Sequence, residues 1–306
     1  MLESILITGA NGGLGKECAR QLALLDGTKK IYLGCRSEEK AKAAKLDLEA
    51  STGKSVFEIV QIDVSNLDSV RSVVEALNES VEGLVMNAGG MGGKNFNDMT
   101  ADGVTQLFAV NLLGHVLLVD ELLKSKKLTK VALYAGSEGA RGFEKMGTKQ
   151  PKLKTSSVEE FVSICDGSFF TKKNDPNLPY GYVKYMAALW MSSIARQNPD
   201  VRFVTMSPGG TSGTNVMNDL PPVMKFMFKH VASRLMPLFG LMHTVDLGAK
   251  RYVDGLNDEL FKSGVFYGSK KTTLTGPVID QGTILDDFNN TTFQDNANEA
   301  IHRFIN

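Results

Sequence analysis

Short apolar runs alternate with helical patterns along the first half of the chain. Ser4 to Thr8 reads as a strand, followed by a helix from about Gly13 to Leu25. Lys30 to Gly34 and Glu38 to Ala50 repeat the pair, as do Phe57 to Ile62 and Leu67 to Leu77. Gly83 to Asn87 predicts a fourth strand, about Thr100 to Leu123 a longer helix, and Lys130 to Tyr134 a fifth strand. The strands are apolar at nearly every position rather than at every second one, the pattern of strands covered on both faces. This β-α-β-α rhythm predicts an α/β fold: a doubly wound parallel sheet with helices on both faces.

Residues 141–178 interrupt the rhythm with Lys, Thr, Ser and Gly. They read as a long insert with one short helix at Val158 to Ile164. A helix from Tyr180 to Arg196, strands at Arg202 to Met206 and Gly264 to Gly268, and a terminal helix from Asn296 to Phe304 complete the pattern. No repeat or low-complexity segment separates these parts, so residues 1–306 read as a single domain.

Composition narrows the classes. Basic and acidic residues balance at 34 each, which gives no reason to expect nucleic acid or an anionic membrane as the main partner. The 3 cysteines (Cys18, Cys35, Cys165) and 4 histidines form no metal-ligand spacing, and reduced thiols fit a cytoplasmic (or stromal) setting. The chain enters an apolar strand within a few residues, leaving no room for a signal peptide, and no apolar run reads as long enough to span a bilayer.

Chemistry concentrates at two places. After the first strand comes Gly9-Ala10-Asn11-Gly12-Gly13-Leu14-Gly15, glycines where a backbone must turn tightly and approach a pyrophosphate at a helix N-terminus. Arg36, ending the second strand, favours the 2′-phosphate of NADP(H); the bland alternative is a solvated arginine at a helix start. Asp63, with Val64 beside it, either accepts a hydrogen bond from an adenine amino group or only caps the next helix. Asn87-Ala88-Gly89 offers small residues where a dinucleotide crosses the sheet. In the second half, Tyr180 and Lys184 stand four residues apart, one helical turn, with side chains on one face. A lysine ammonium beside a phenol lowers the phenol's pKa and makes Tyr180 a candidate proton donor or acceptor. Tyr182 and Tyr185 are nearby decoys, Tyr182 on a different side of the helix.

In this order, with Asn111, Ser137 and Pro208-Gly209, the motifs resemble the short-chain dehydrogenase/reductase family from residue 4 to about 268. That resemblance implies a Rossmann-like fold and an Asn-Ser-Tyr-Lys tetrad at Asn111, Ser137, Tyr180 and Lys184. It also implies NADP(H) held by Gly9, Asn11, Gly12, Gly13, Leu14, Gly15, Arg36, Asp63, Val64, Asn87, Ala88, Gly89, Tyr180, Lys184, Pro208, Gly209 and Thr211. In the implied mechanism Tyr180 exchanges the proton, Ser137 bonds the substrate oxygen, and Lys184 lowers the tyrosine pKa and contacts the nicotinamide ribose. Asn111 connects Lys184 to solvent through a water. Taken singly, Asn111 could instead satisfy neighbouring backbone, and Ser137 could be a turn serine.

Within the family, Gly34-Cys35-Arg36, the long insert and Lys262-Ser263-Gly264-Val265-Phe266-Tyr267 resemble the protochlorophyllide reductases and the retinol-dehydrogenase-like group. Met86 and Met186 stand where light-dependent protochlorophyllide reductases tend to carry cysteine, so a dark carbonyl/alcohol reaction is the first expectation and light-driven C=C reduction the alternative. A sensor or scaffold that binds NADP(H) is the non-enzyme alternative; retention of Tyr180 and Lys184 argues against it. The long insert before Tyr180 resembles that of monomeric carbonyl reductases, which implies a monomer ahead of a dimer. Residues 216–243 occupy the family's substrate-lid position. With Met217, Met224, Met227, Met236, Met242, Phe226, Phe228 and Phe239 they read as a pocket for a bulky apolar substrate or as a segment folded onto the body. Membrane-surface contact through Lys225, Lys229 and Arg234 ranks third.

Overall fold

Strands that are apolar on both faces need cover on both sides, and the helices supply it. The computed structural model describes residues 1–144, 148–171, 175–212 and 240–305. The strands are β1 Ser4–Thr8, β2 Lys30–Cys35, β3 Phe57–Gln61, β4 Val81–Met86, β5 Leu128–Ala135, β6 Arg202–Met206, β7 Val265–Ser269 and β8 Val278–Asp280. The helices are α1 Gly13–Ala23, α2 Glu38–Thr52, α3 Leu67–Ala76, α4 Gln106–Lys124, α5 Val158–Cys165, α6 Asn177–Gln197, α7 Val245–Asn257 and α8 Thr291–His302. One sheet runs β3-β2-β1-β4-β5-β6-β7-β8. Helices α3, α4 and α6, with α5 and α8 outside them, bury Val70, Leu117 and Trp190 on one face. Helices α1, α2 and α7 bury Leu22, Leu48 and Tyr252 on the other. The strand order reverses between β1 and β4, which opens a crevice at the carboxyl ends of the strands.

The expected parallel sheet holds from β1 to β7. At β8 it is corrected: Tyr267 pairs with Asp280 and Ser269 with Val278 in an antiparallel register. The connection from β7 holds no crossover helix, and a short return can only pair antiparallel. Helix α7 is also absent from the predicted pattern. Its buried positions Ala249, Tyr252, Val253 and Leu256 are interleaved with Lys250, Arg251 and Asp254, which dilute the apolar signal.

Helix starts moved for reasons of capping. Helix α4 begins at Gln106 rather than Thr100, because the Thr105 hydroxyl accepts from the Phe108 amide and residues 99–105 close a small turn. Helix α6 begins at Asn177, before Tyr180; Pro179 falls in the first turn, where amides have no helical partner to lose. Helix α8 begins at Thr291, five residues early, with Asn290 as its cap.

Helix α4 overturns one expectation. Its 19 residues, of mean hydropathy 1.5, are long and apolar enough to cross a bilayer, yet 72% of the span is buried inside the fold. The apolarity is spent on β4, β5 and α3, as a core helix requires.

The described part of the insert, residues 141–144, 148–171 and 175–178, packs against α6. Phe169 and Phe170 set their rings against Tyr182, whose hydroxyl donates to Lys152 O and accepts from Lys152 N. Of the lid expectation, residues 216–239 lie outside the described residues. Within the described part, Met242 is buried at the cleft.

Candidate active site

The end of β1 runs into the glycine turn, where the Gly9 amide donates to Gly34 O at 2.7 Å and ties the turn to β2. Helix α1 starts at once, with Gly12 as N-cap, no side-chain cap bond and no acidic residue in the first turn. Its leading amides are therefore left for an anion. Gly15 lies beneath the turn rather than in the cleft. A Cβ there would meet Gly9 O and Asn87 Nδ2 at 2.5 Å, so glycine is what lets α1 approach β4.

A cleft of about 860 Å³ follows the carboxyl edge of the sheet. Gly9, Asn11, Gly12, Gly13 and Leu14 line it at the α1 end. Arg36, Asp63 and Val64 line it beyond β2 and β3, and Asn87, Ala88 and Gly89 above β4. Pro208, Gly209 and Thr211 close it beyond β6, with Ser137, Tyr180 and Lys184 at the same end. Arg36 is exposed, and its guanidinium has no protein partner among the described residues. Asp63 is not the cap of α3; Asn66 is, and Asp63 Oδ1 instead accepts from the amide and hydroxyl of Ser65.

Strand β5 and helix α6 bring the reactive side chains together. Tyr180 is half-buried, and Ser137 is near enough to favour its phenolate. Burial is the largest influence on its phenol and pushes it up to about 12; the Ser137 hydroxyl opposes this and the Glu138 charge adds to it. Lys184 is 4% exposed and lies 5.5 Å from the Tyr180 ring centroid. Its ammonium donates to Ala135 O at 2.9 Å and to the Tyr134 hydroxyl at 3.2 Å. Burial without a counter-charge brings Lys184 down to about 7. This corrects the expected direction of influence. In the protein alone Lys184 bonds β5 rather than Tyr180, and the phenol is raised, not lowered.

Both decoys are held elsewhere. Tyr182 is tied to Lys152, and the Tyr185 hydroxyl donates to Asp287 at 2.9 Å. Ser137 is the turn serine weighed for it, its Oγ accepting from the Gly139 amide at 3.1 Å, and it also lines the cleft.

Asn111 does not line the cleft. It is fully buried in a π-helical turn, Ala109–Leu113, inside α4. Its side-chain amide donates to Gly90 O and Leu107 O and accepts from the Gly90 amide, fixing the glycine-rich loop after β4. Its backbone carbonyl accepts from the Tyr134 hydroxyl at 2.7 Å. The Tyr134 hydroxyl thus bonds both Lys184 and the Asn111 carbonyl, the two groups between which a water was expected.

A model of the short chain dehydrogenase family matches residues 3–133. The chain is 37% identical over 142 residues to the short chain dehydrogenase rstn4 of Aspergillus nomiae, covering 45% of this chain and 38% of that one. To human retinol dehydrogenase 13 it is 36% identical over 128 residues, covering 41% and 38%. The crystal structure of L-sorbose reductase from Gluconobacter frateurii, complexed with NADPH and L-sorbose, superposes with a TM-score of 0.63 over 90% of this chain and 97% of that one, at 15% identity.

Over residues 3–133 the chain is similar to the short-chain dehydrogenase family.

The chain spans under two-fifths of the length of these two curated relatives. The cleft also holds residues that the sequence did not single out. Tyr134 hid inside an apolar strand, where its hydroxyl was the only signal. Gly90 to Gly93 follow the Asn87-Ala88-Gly89 motif directly and were legible as a glycine run. Glu138 was not: its carboxylate accepts from Ser207 Oγ and, at 2.9 Å, from the Ser269 amide, joining the turn after β5 to β6 and β7.

Proposed function

We propose that this chain is a short-chain dehydrogenase, an NADP(H)-dependent oxidoreductase acting on a carbonyl or alcohol of an apolar small molecule, with Tyr180 as general acid/base. The observation that carries it is the meeting of Tyr180, Ser137 and Lys184 in the same cleft as the glycine turn.

The residues present fit a dinucleotide phosphate: uncapped α1 amides for the pyrophosphate, and the Arg36 guanidinium, without a partner among the described residues, for a ribose phosphate. When bound, NADP(H) supplies or accepts the hydride. The Tyr180 phenol, raised by burial, keeps its proton at neutral pH and is positioned to give it to an alkoxide oxygen. Ser137 Oγ donates to that same oxygen and orients it. The Lys184 ammonium stabilises the phenolate that remains. Met91, Val110, Leu241, Met242 and Leu274 give the cleft an apolar lining, which supports a lipophilic substrate.

Arg36 supplies the test of cofactor choice. Arg36→Ala should weaken NADPH binding by about 10- to 100-fold, the loss of one charge-assisted contact, and leave NADH unchanged. Fluorescence titration with both cofactors reads this directly. Equal affinity for NADPH before and after the change would remove Arg36 from the site.

The packing of the insert on α6 supports a monomer, because that helix face is already occupied within the chain by Phe169, Phe170, α5 and α8. Sedimentation should give a particle of 33.2 kDa; twice that mass contradicts the proposal.

A further inference from the structure

The side of Lys184 that faces away from the cleft is buried, and the hydrogen bonds there can be given directions from the chemistry of their partners. The Lys184 ammonium donates to Tyr134 Oη at 3.2 Å. Tyr134 Oη has one proton and gives it to Asn111 O at 2.7 Å. His115 Nδ1 lies 3.1 Å from the same carbonyl. A carbonyl only accepts, so Nδ1 carries the ring proton; Nε2 of the neutral ring is then the nearer acceptor of the Thr8 hydroxyl at 3.0 Å, with Val85 O at 3.4 Å the other. Thr8 Oγ1 in turn accepts from the amides of Asn87 and Ala88 at 2.9 and 3.0 Å. Thr8, Asn111, His115 and Tyr134 are all fully buried.

Two consequences follow. Side chains take both lone pairs of the Asn111 carbonyl, so it has none left for a water. The chain also ends on a group that cannot pass a proton onward. On this side, then, the chain seats Lys184.

We propose that Tyr134 is a positioning residue of this site: its hydroxyl, in place of solvent, holds the Lys184 ammonium on β5 beneath Tyr180. His115 and Thr8 then tie that seat to the Asn87-Ala88 end of the cofactor cleft. The proposal rests on the functional reading above.

The titratable groups packed around the cluster are Tyr180 on α6, Tyr134 on β5, His115 on α4, Tyr252 on α7 and Glu138 after β5. Burial holds His115 neutral, down at about 4. Burial also raises Tyr134 and Tyr252, so both stay protonated. Glu138 is engaged by Ser207, Ser269 and, at 3.9 Å, Arg251. Lys184, at about 7, is left as the group that changes charge near neutral pH.

Tyr134→Phe keeps the ring that packs edge-on against His115 and Trp190 and removes only the oxygen. An ammonium short of one acceptor gives up its proton more readily. The alkaline limb of the kcat profile should move down by about one pH unit, with NADPH affinity and thermal midpoint retained. An unmoved limb in a folded, NADPH-binding variant overturns the proposal and leaves the functional reading intact.

Should Tyr134→Phe not fold, ¹⁵N spectra of the wild-type lysine ammonium groups give a second measure that needs no turnover. The Lys184 signal, assigned by its loss in Lys184→Arg, should exchange with solvent at least tenfold more slowly than those of surface lysines. Exchange as fast as theirs overturns the seating. Slow exchange in a protein without turnover keeps the seating and counts against the functional reading alone.

Discussion

Tyr180→Phe should lower kcat by about 10²- to 10⁴-fold while NADPH still binds, because the variant keeps the ring and loses only the transferable proton. The geometry makes this a clean substitution. The ring edge stays on α6, Ser137 keeps its bond to the Gly139 amide, and Lys184 keeps both of its bonds to β5. Nothing that holds the glycine turn or Arg36 touches the Tyr180 hydroxyl. Steady-state turnover of NADPH with a responsive aldehyde or ketone reads the effect, and fluorescence titration reads the binding. Turnover within a few-fold of wild type would show that the proton comes from elsewhere and would sink the assignment of Tyr180. Because burial pushes the Tyr180 phenol up to about 12, its proton is present throughout the neutral range. Loss of reductive activity as pH rises above neutrality should therefore follow Lys184, which loses charge first.

Gly114→Ala should destabilise the fold by about 3 kcal/mol or more, against the usual trend. In a helix interior, alanine is normally favoured over glycine by about 0.5–1 kcal/mol. At Gly114 a Cβ would stand 1.8 Å from Val64 O and 2.7 Å from Val64 C. Backbone cannot rotate away as a flexible side chain can, so α4 would have to separate from the segment after β3, and overpacking of this kind costs about 1–3 kcal/mol or more. In a protein of this size the thermal midpoint should fall by roughly 5 °C. Because Val64 lines the cleft and Asn111 sits in the turn just before Gly114, cofactor affinity should weaken too. Differential scanning fluorimetry with and without NADPH measures both. A midpoint equal to or above wild type would mean that α4 is not pressed against Val64.

Capping and periodicity account for what was legible. The bounds of β1 and β6 and the position of α5 follow from apolar runs ended by polar residues, signals carried within a few positions. The glycine turn was legible because no other residue fits a backbone that must pass so close to Asn87. Helix α7 was not, since its apolar positions alternate with Lys250, Arg251 and Asp254, and Arg251 is buried against Ser207 O, Ser269 Oγ and Gly276 O rather than solvated. Only the assembled fold tells a buried arginine from a surface one.

The sequence by itself determined the alternation of strands and helices, the phosphate-binding turn after β1, and the presence of Tyr180 and Lys184 on one helical face. These are local matters, fixed by residues a turn or a strand apart. The tertiary structure decided the rest. It put Tyr134 under Lys184 and engaged the Asn111 carbonyl with side chains from β5 and α4. It also set the charge balance by burying a lysine with neutral partners. Those outcomes depend on desolvation and on contacts between residues far apart in the chain, and neither exists until the sheet and its helices have closed around them.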